Sequence, residues 1–393
     1  GGLGATSLGA INMKLFFSIL IIVLLTVTAY PQWTQMWTDN NDTTAVWGLF
    51  VKDSIVFIGT NGSSISGTFR SSNNGLSWFR NQYGLTGNAI YSNSFTSKDS
   101  FIFAATYDGV FRTKISDTVW TFRGSGIPFG YSNNAIVNHN GKLFVVLSNA
   151  SVYKSTDDGL SWEISSNGLP VNAANSWSIL NYSDTLFLGT TAGVYRTIND
   201  GEVWESISVP PVVGIEGMCM LANYLYITTI DKIYRTNNNG ITWHYIFLPN
   251  FANTIASVDT FVFVGTGDGI LRGSLNDLEW DIINNGLPSM TGVTKIFQND
   301  EYLFISTYGK GIWRISLNDV LTDVKDIRII LPEQYYLFQN YPNPFNSNTI
   351  IKYQLPVQGY VRLNIYDILG RKIMTLVEGS KEAGSYQIDF DGG

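Results

Sequence analysis

The sequence predicts an all-β chain, and three observations predict it. An octapeptide, clearest as STDDGLSW from Ser155 to Trp162, recurs as SSNNGLSW ending at Trp78, TINDGEVW ending at Trp204 and TNNNGITW ending at Trp243, with worn versions at Trp120 and Trp280. Trp37, Trp78, Trp120, Trp162, Trp204, Trp243 and Trp280 stand 41, 42, 42, 42, 39 and 37 residues apart, a period that marks a repeat architecture. Short Val, Ile, Phe and Tyr runs alternate with Asn, Gly and Ser clusters, and only 14% of residues are charged, the composition of many strands joined by turns.

From the N-terminus, residues 1–12 show no periodicity and read as a segment ahead of the true start at Met13. Residues 13–29 hold one lysine, an apolar run from Leu15 to Thr28, and Ala29. That order of charged, apolar and small residues is a secretory signal, and the run is short for a membrane span.

The repeat region is expected at 32–317. Each unit gives the same order of runs, best seen as SWSILNY, TLFLGTT, GVYRTIN, the octapeptide turn and VWESIS between Ser176 and Ser208. Four short strands per unit, arranged radially, make a β-propeller whose sheets bury both faces against their neighbours. Inner-strand triplets number seven, the last being VTKIFQ, YLFIST and GIWRIS. This last triplet has no outer strand after it, while QWTQMWTDN around Trp37 has no inner strands before it. The two ends are therefore expected to complete one blade together, giving seven blades and no free sheet edge.

The octapeptide itself follows from turn chemistry. Ser71, Ser155, Thr197 and Thr236 with Asn73, Asp157, Asn199 and Asn238 offer side chains that bond nearby backbone N–H groups. Gly75, Gly159, Gly201 and Gly240 supply the positive φ of a tight turn, and Trp78, Trp162, Trp204 and Trp243 start the next strand. Burying one indole removes about 150–250 Å² from water, worth at most about 4–6 kcal/mol.

A linker is expected over 318–336. Beyond it, 337–393 changes composition: Pro342 and Pro344 favour an extended entry, and Val361, Leu363 and Ile365 alternate on one face. These runs predict strands of a small immunoglobulin-like sandwich, with fewer strands than the roughly seven such sandwiches have.

Composition also excludes partners and cofactors. A net charge of −7 gives no electrostatic footprint for nucleic acid. One cysteine, Cys219, and two histidines, His139 and His244, leave no set of metal ligands, so no metal and no cofactor is expected. Cys219 lies in the apolar run GMCMLA and reads as a core thiol.

With its residues in view, the octapeptide resembles the Asp-box, or BNR, repeat of sialidases, xyloglucanase-type glycoside hydrolases, sortilin-like receptors and photosystem assembly-factor-like propellers. The resemblance implies a seven-bladed propeller with structural box residues. The tail, QNYPNPFN followed by TIIKYQLP, VRLNIYDILGR and TLVEG, is similar to the C-terminal sorting domain of type IX secretion cargo in Bacteroidetes, Ignavibacteria and relatives. It implies export by way of the periplasm to the cell surface or medium, with the type IX machinery as a partner.

Sialidases carry three substrate-clamping arginines and an Arg-Ile-Pro motif, and no such motif occurs here. Arg70, Arg112, Lys154, Arg196, Arg235, Arg272 and Arg314 fall once per unit in the third run and read as structural. Asp231 and Asp268 occupy equivalent loops, TIDK and TGDG, and are the candidate carboxylate pair for an inverting glycosidase. The face away from the boxes offers Tyr107, Asp108, Tyr131, Trp177, Asp231, Asp268, Tyr308 and Lys310, rings and hydrogen-bonding groups suited to a sugar or peptide. The sequence thus favours a secreted or surface-attached binding module for a glycan, peptide or protein over an extracellular glycoside hydrolase or a periplasmic assembly factor.

Overall fold

The computed structural model describes residues 32–38, 44–62, 65–170, 178–207, 214–248, 250–274, 280–321, 328–329, 335–337, 340–355, 359–367, 370–381 and 384–391. The expected signal segment, and the stretch before it, lie outside them. So does Trp177.

Seven antiparallel sheets follow one another along the chain, each starting with its innermost strand. Those strands are Ala45–Lys52, Ser92–Lys98, Asn133–His139, Ser178–Tyr182, Gly217–Leu221, Ala252–Val258 and Val293–Gln298. Each packs against the next, and the seventh packs against the first, so the blades form a closed ring around a channel. The seventh sheet continues through Tyr302–Thr307 and Ile312–Ser316 and ends on the N-terminal strand Thr34–Trp37. Ring closure by the chain's own start is as the sequence predicts.

One detail of that prediction is corrected. Trp37 pairs at the far end of the closing strand, opposite Ile312, whereas Trp33, 2% exposed, takes the place of the recurring tryptophan. Its indole N–H donates to the carbonyl of Ile283 in the sixth blade (2.6 Å). Trp120, Trp162 and Trp204 reach back one blade in the same way, to Asn81, Arg123 and Ser165. The backbone repeats the match: Trp33, Trp120, Trp162 and Trp204 donate their amides to Asn285, Tyr83, Ser125 and Asn167. Gly286, Gly84, Gly126 and Gly168, all at positive φ, follow those acceptors and lie under the tryptophan carbonyls, where a Cβ would clash.

The core lies between blades. Trp33, Phe263, Val293 and Leu303 of the sixth and seventh blades form one such cluster. On each second strand an aromatic residue (Phe57, Phe103, Phe144, Phe187, Tyr226, Phe263 or Phe304) stands directly opposite the once-per-unit cation of the third strand. Several cations lie over a second-strand ring, as Arg112 does over Phe101 and Arg314 over Tyr302, both at 4.1 Å. Lys154 instead pairs with Glu202 of the next box at 2.7 Å. The series is built into the blade walls.

Part of the expected linker belongs to the ring. A single helical turn, Leu317–Leu321, buries Val320 against the last two blades, and Arg272 donates to the Val320 carbonyl. Arg328–Ile329 then adds a fifth strand to the sixth blade. Beyond it, Asn348–Leu355 pairs with Tyr336–Leu337, Tyr341–Asn346 and Gly384–Asp391, while Gly359–Tyr366 pairs with Lys372–Lys381. These strands make up a C-terminal β domain.

Candidate functional site

The two ends of the ring are chemically different. At one end lie the boxes and the hairpins joining first to second strands, as shown by Asn74 donating its amide to the Ser54 carbonyl (2.8 Å). In each good box the Ser or Thr hydroxyl accepts the glycine N–H, as Ser71 does from Gly75 (2.9 Å), and donates to the Asx oxygen, as Ser71 does to Asn73 (2.9 Å). That oxygen also accepts a backbone N–H four residues on, as Asp157 Oδ1 does from Ser161 (2.9 Å). Bonds from the Ser161 hydroxyl and amide, with a smaller one from Ser155, hold the Asp157 carboxyl down at about 2.

The residue before the box glycine, Asn74, Asp158, Asp200 or Asn239, also has positive φ, which Asn and Asp tolerate best after Gly. Its side chain latches the preceding blade. Asp158 pairs with Lys98, Asp200 with Lys142 (2.7 Å), Asn239 with Arg196 (3.1 Å), and Asn74 with Asn299 of the seventh blade (2.8 Å). Asx recurs at this position in SSNNG, STDDG, TINDG and TNNNG, and that recurrence is the signal by which the latch is legible.

The opposite end opens into the channel through a cavity of about 270 Å³ lined by Trp47, Asn93, Asn134, Glu216, Asn253, Thr294, Lys295 and Tyr308. A deeper cavity of about 340 Å³ continues between the innermost strands, sharing Asn93, Asn134, Glu216 and Lys295. The register explains the lining. Five innermost strands carry an irregularity at the same place, between Val46 and Gly48, Ser92 and Ser94, Asn133 and Ala135, Ala252 and Thr254, and Val293 and Lys295. The skipped residues are Trp47, Asn93, Asn134, Asn253 and Thr294. A β-bulge re-aims its side chain, and here all five line the mouth.

Three of these residues also stitch the ring. Asn93 donates to the Asn133 carbonyl (3.0 Å), Asn253 to Val293 (2.9 Å) and Thr294 to Val46, each acceptor being the residue before the next blade's bulge. Trp47 and Tyr308 meet edge-to-face at 4.7 Å, and Tyr308 is half exposed. Burial, and secondarily the nearby Tyr107 phenol, raises the Tyr308 hydroxyl above its usual pKa. Burial likewise raises Glu216 and lowers Lys295, each opposed in part by the other's charge.

Of the residues singled out from sequence, Tyr308 lines the mouth. Tyr107, Asp108 and Tyr131 line a separate hollow of about 30 Å³ beside the exposed Phe129. Asp108 accepts the Asn88 amide (2.9 Å) and Asp268 the Met290 amide (2.8 Å), so both brace loops. Asp231 pairs with its neighbour Lys232 at 2.7 Å. Asp231, Asp268 and Lys310 line none of the three cavities described, and the Lys310 carbonyl instead accepts from Gln35 of the closing strand (3.1 Å). Cys219 is buried and burial raises its thiol pKa. Among the described residues no cluster of His, Cys, Asp and Glu could hold a metal ion.

The fold is that of a seven-bladed β-propeller followed by a C-terminal β domain. Residues 339–392 match the secretion system C-terminal sorting domain, so the protein is secreted or held at the cell surface. No curated protein matches the chain by sequence. Among solved structures it is similar to YCF48 bound to D1 peptide (TM-score 0.60, 15% identity, 73% of this chain and 97% of that one). It is also similar to virginiamycin B lyase from Staphylococcus aureus (0.61, 16%, 73% and 99%). A third likeness is to the extracellular domain of BT4673 from B. thetaiotaomicron (0.60, 16%, 82% and 45%). At these identities the likeness is one of fold.

Proposed function

We propose that the protein is an exported Asp-box propeller that binds a glycan, peptide or protein partner outside the cell, with the type IX secretion machinery engaging its sorting domain. The observation that carries this reading is the channel mouth, where an aromatic pair, three amides and two groups of opposite charge share one cavity at the end remote from the boxes. Flat apolar surface beside a few placed polar groups is the usual make-up of a small-ligand site. The neighbour solved with a bound peptide supports recognition of a polypeptide by this type of ring.

Glycan and peptide arrays probed with the full chain test the reading. Binding that falls at least tenfold in Trp47→Ala and Tyr308→Ala, and stays unchanged in Asn73→Ala and Asn199→Ala, supports it. Loss confined to the box pair, with folding intact, overturns it.

A further inference from the structure

Lys295 and Glu216 belong to the seventh and fifth blades, and Asn253 of the blade between them lies in the same lining. Both charged side chains face the cavity, and both are desolvated enough to shift toward their neutral forms. Among the described residues neither side chain has a hydrogen-bond or ion-pair partner, and Glu216 is held only through its backbone amide on the Thr228 carbonyl (2.9 Å). Buried opposite charges that stability alone explains are paired and hydrogen-bonded, because an uncompensated one is costly. Here the carboxylate and the ammonium sense each other's charge, make no ion pair and line one cavity.

We propose that this cavity takes a small zwitterion of the α-amino-acid class, its carboxylate on Lys295, its ammonium on Glu216 and its side chain against Trp47 and Tyr308. The inference rests on the channel-mouth reading and names its ligand. Three features carry it. The two protein charges, of opposite sign, line one cavity from the fifth and seventh blades, as a ligand carrying both an ammonium and a carboxylate requires. Asn93, Asn134 and Asn253 line the same cavity and give it a polar wall, two of them held in place by bonds to the next blade. The cavity, at about 270 Å³, lies just below the roughly 300–1,000 Å³ range of pockets for drug-sized ligands, which suits a single amino acid better than a folded partner.

Calorimetric titration of the full chain with each common free α-amino acid, its carboxamide and its N-acetyl derivative tests the proposal. At least one free amino acid should bind, and both blocked forms should bind at least tenfold more weakly. Lys295→Gln should bring the acid and its amide within about threefold of each other, and Glu216→Gln should do so for the free and acetylated amines, since each variant removes the charge-assisted contact that sets the preference. Blocked forms that bind as well as free ones, or no free amino acid binding at all, overturn it. The blocked-ligand comparison uses the unaltered protein, so a variant that fails to fold leaves the test standing. Array ligands that depend on Trp47 and Tyr308 but ignore charge would sink the zwitterion and leave the binding module. Amino-acid binding that is insensitive to Trp47→Ala and Tyr308→Ala would sink the aromatic mouth instead.

Discussion

The two ends of the ring use polar residues in opposite ways. At the box end, the polar side chains described above bond to their own turn or to the preceding blade, and the Asx positions at left-handed φ serve as latches. At the channel mouth, bulges turn five side chains to the cavity, three of which bond a carbonyl of the next blade, while Glu216 and Lys295 have no ion-pair partner among the described residues. A satisfied network fixes structure, whereas uncommitted, partly buried groups mark where a ligand can supply the missing partner. The difference separates the end whose polar side chains described above are all committed to the ring from the end proposed to bind a ligand.

That division can be broken most forcefully at the ring closure. Trp33→Ala removes a fully buried indole and should cost about 3–5 kcal/mol, a fall in Tm of roughly 10 °C for a domain above 150 residues. Trp37→Ala, at a half-buried position, should cost clearly less. Equal melting temperatures for the two variants would restore Trp37 to the repeat.

Next comes a crossed comparison of the ends. Asn199→Ala strips the box of the oxygen that accepts from Thr197 and Val203 and should cost about 1–3 kcal/mol without altering affinity. Tyr308→Ala should do the reverse, changing affinity at nearly constant Tm. Variants that shift both quantities together would show that the ends are coupled.

A smaller effect is acid sensitivity. The folded Asp157 carboxyl titrates at about 2, below its ordinary 3.8, so its contribution is present above about pH 4 and lost as pH falls toward about 2. Asp157→Asn, which copies the other three boxes, should flatten the decline in Tm over that window. An unchanged slope would mean that other carboxylates govern it.

The smallest expected effect is at Asp231. Asp231→Asn loses an exposed pair with Lys232 and should change stability by less than about 0.5 kcal/mol. Neither it nor the parent protein should release sugar from xyloglucan oligosaccharides. Hydrolysis by the parent that vanishes in the variant would make this end an active site.

Blade number, strand order and closure were legible because one octapeptide carries turn, glycine and tryptophan together. Trp33 was hidden because spacing alone cannot separate it from Trp37, and Trp37 fits the period better. The glycines under the tryptophan carbonyls had a signal in YGLT, SGIP, NGLP and NGLP at Gly84, Gly126, Gly168 and Gly286. The mouth was only faintly legible. Asn93, Asn134 and Asn253 each precede a small residue and then Phe or Ile, but a bulge is a property of register between two strands and shows only once they are paired. Glu216 and Lys295 are 79 residues apart by number, and only the circular order of blades brings them to one wall.

Closing the ring with the N-terminal strand also sets a clock on assembly. Gln35 meets its partner Lys310 across 275 positions of chain, so the strand made first must wait for nearly the whole ring before its edge is covered. Contacts this remote are entropically late. Until then an unclosed blade and the bare Trp33 indole are open to any passing chain. The protein thus carries a long vulnerable interval in its life history, one that ends in a single step when the first strand finds the last.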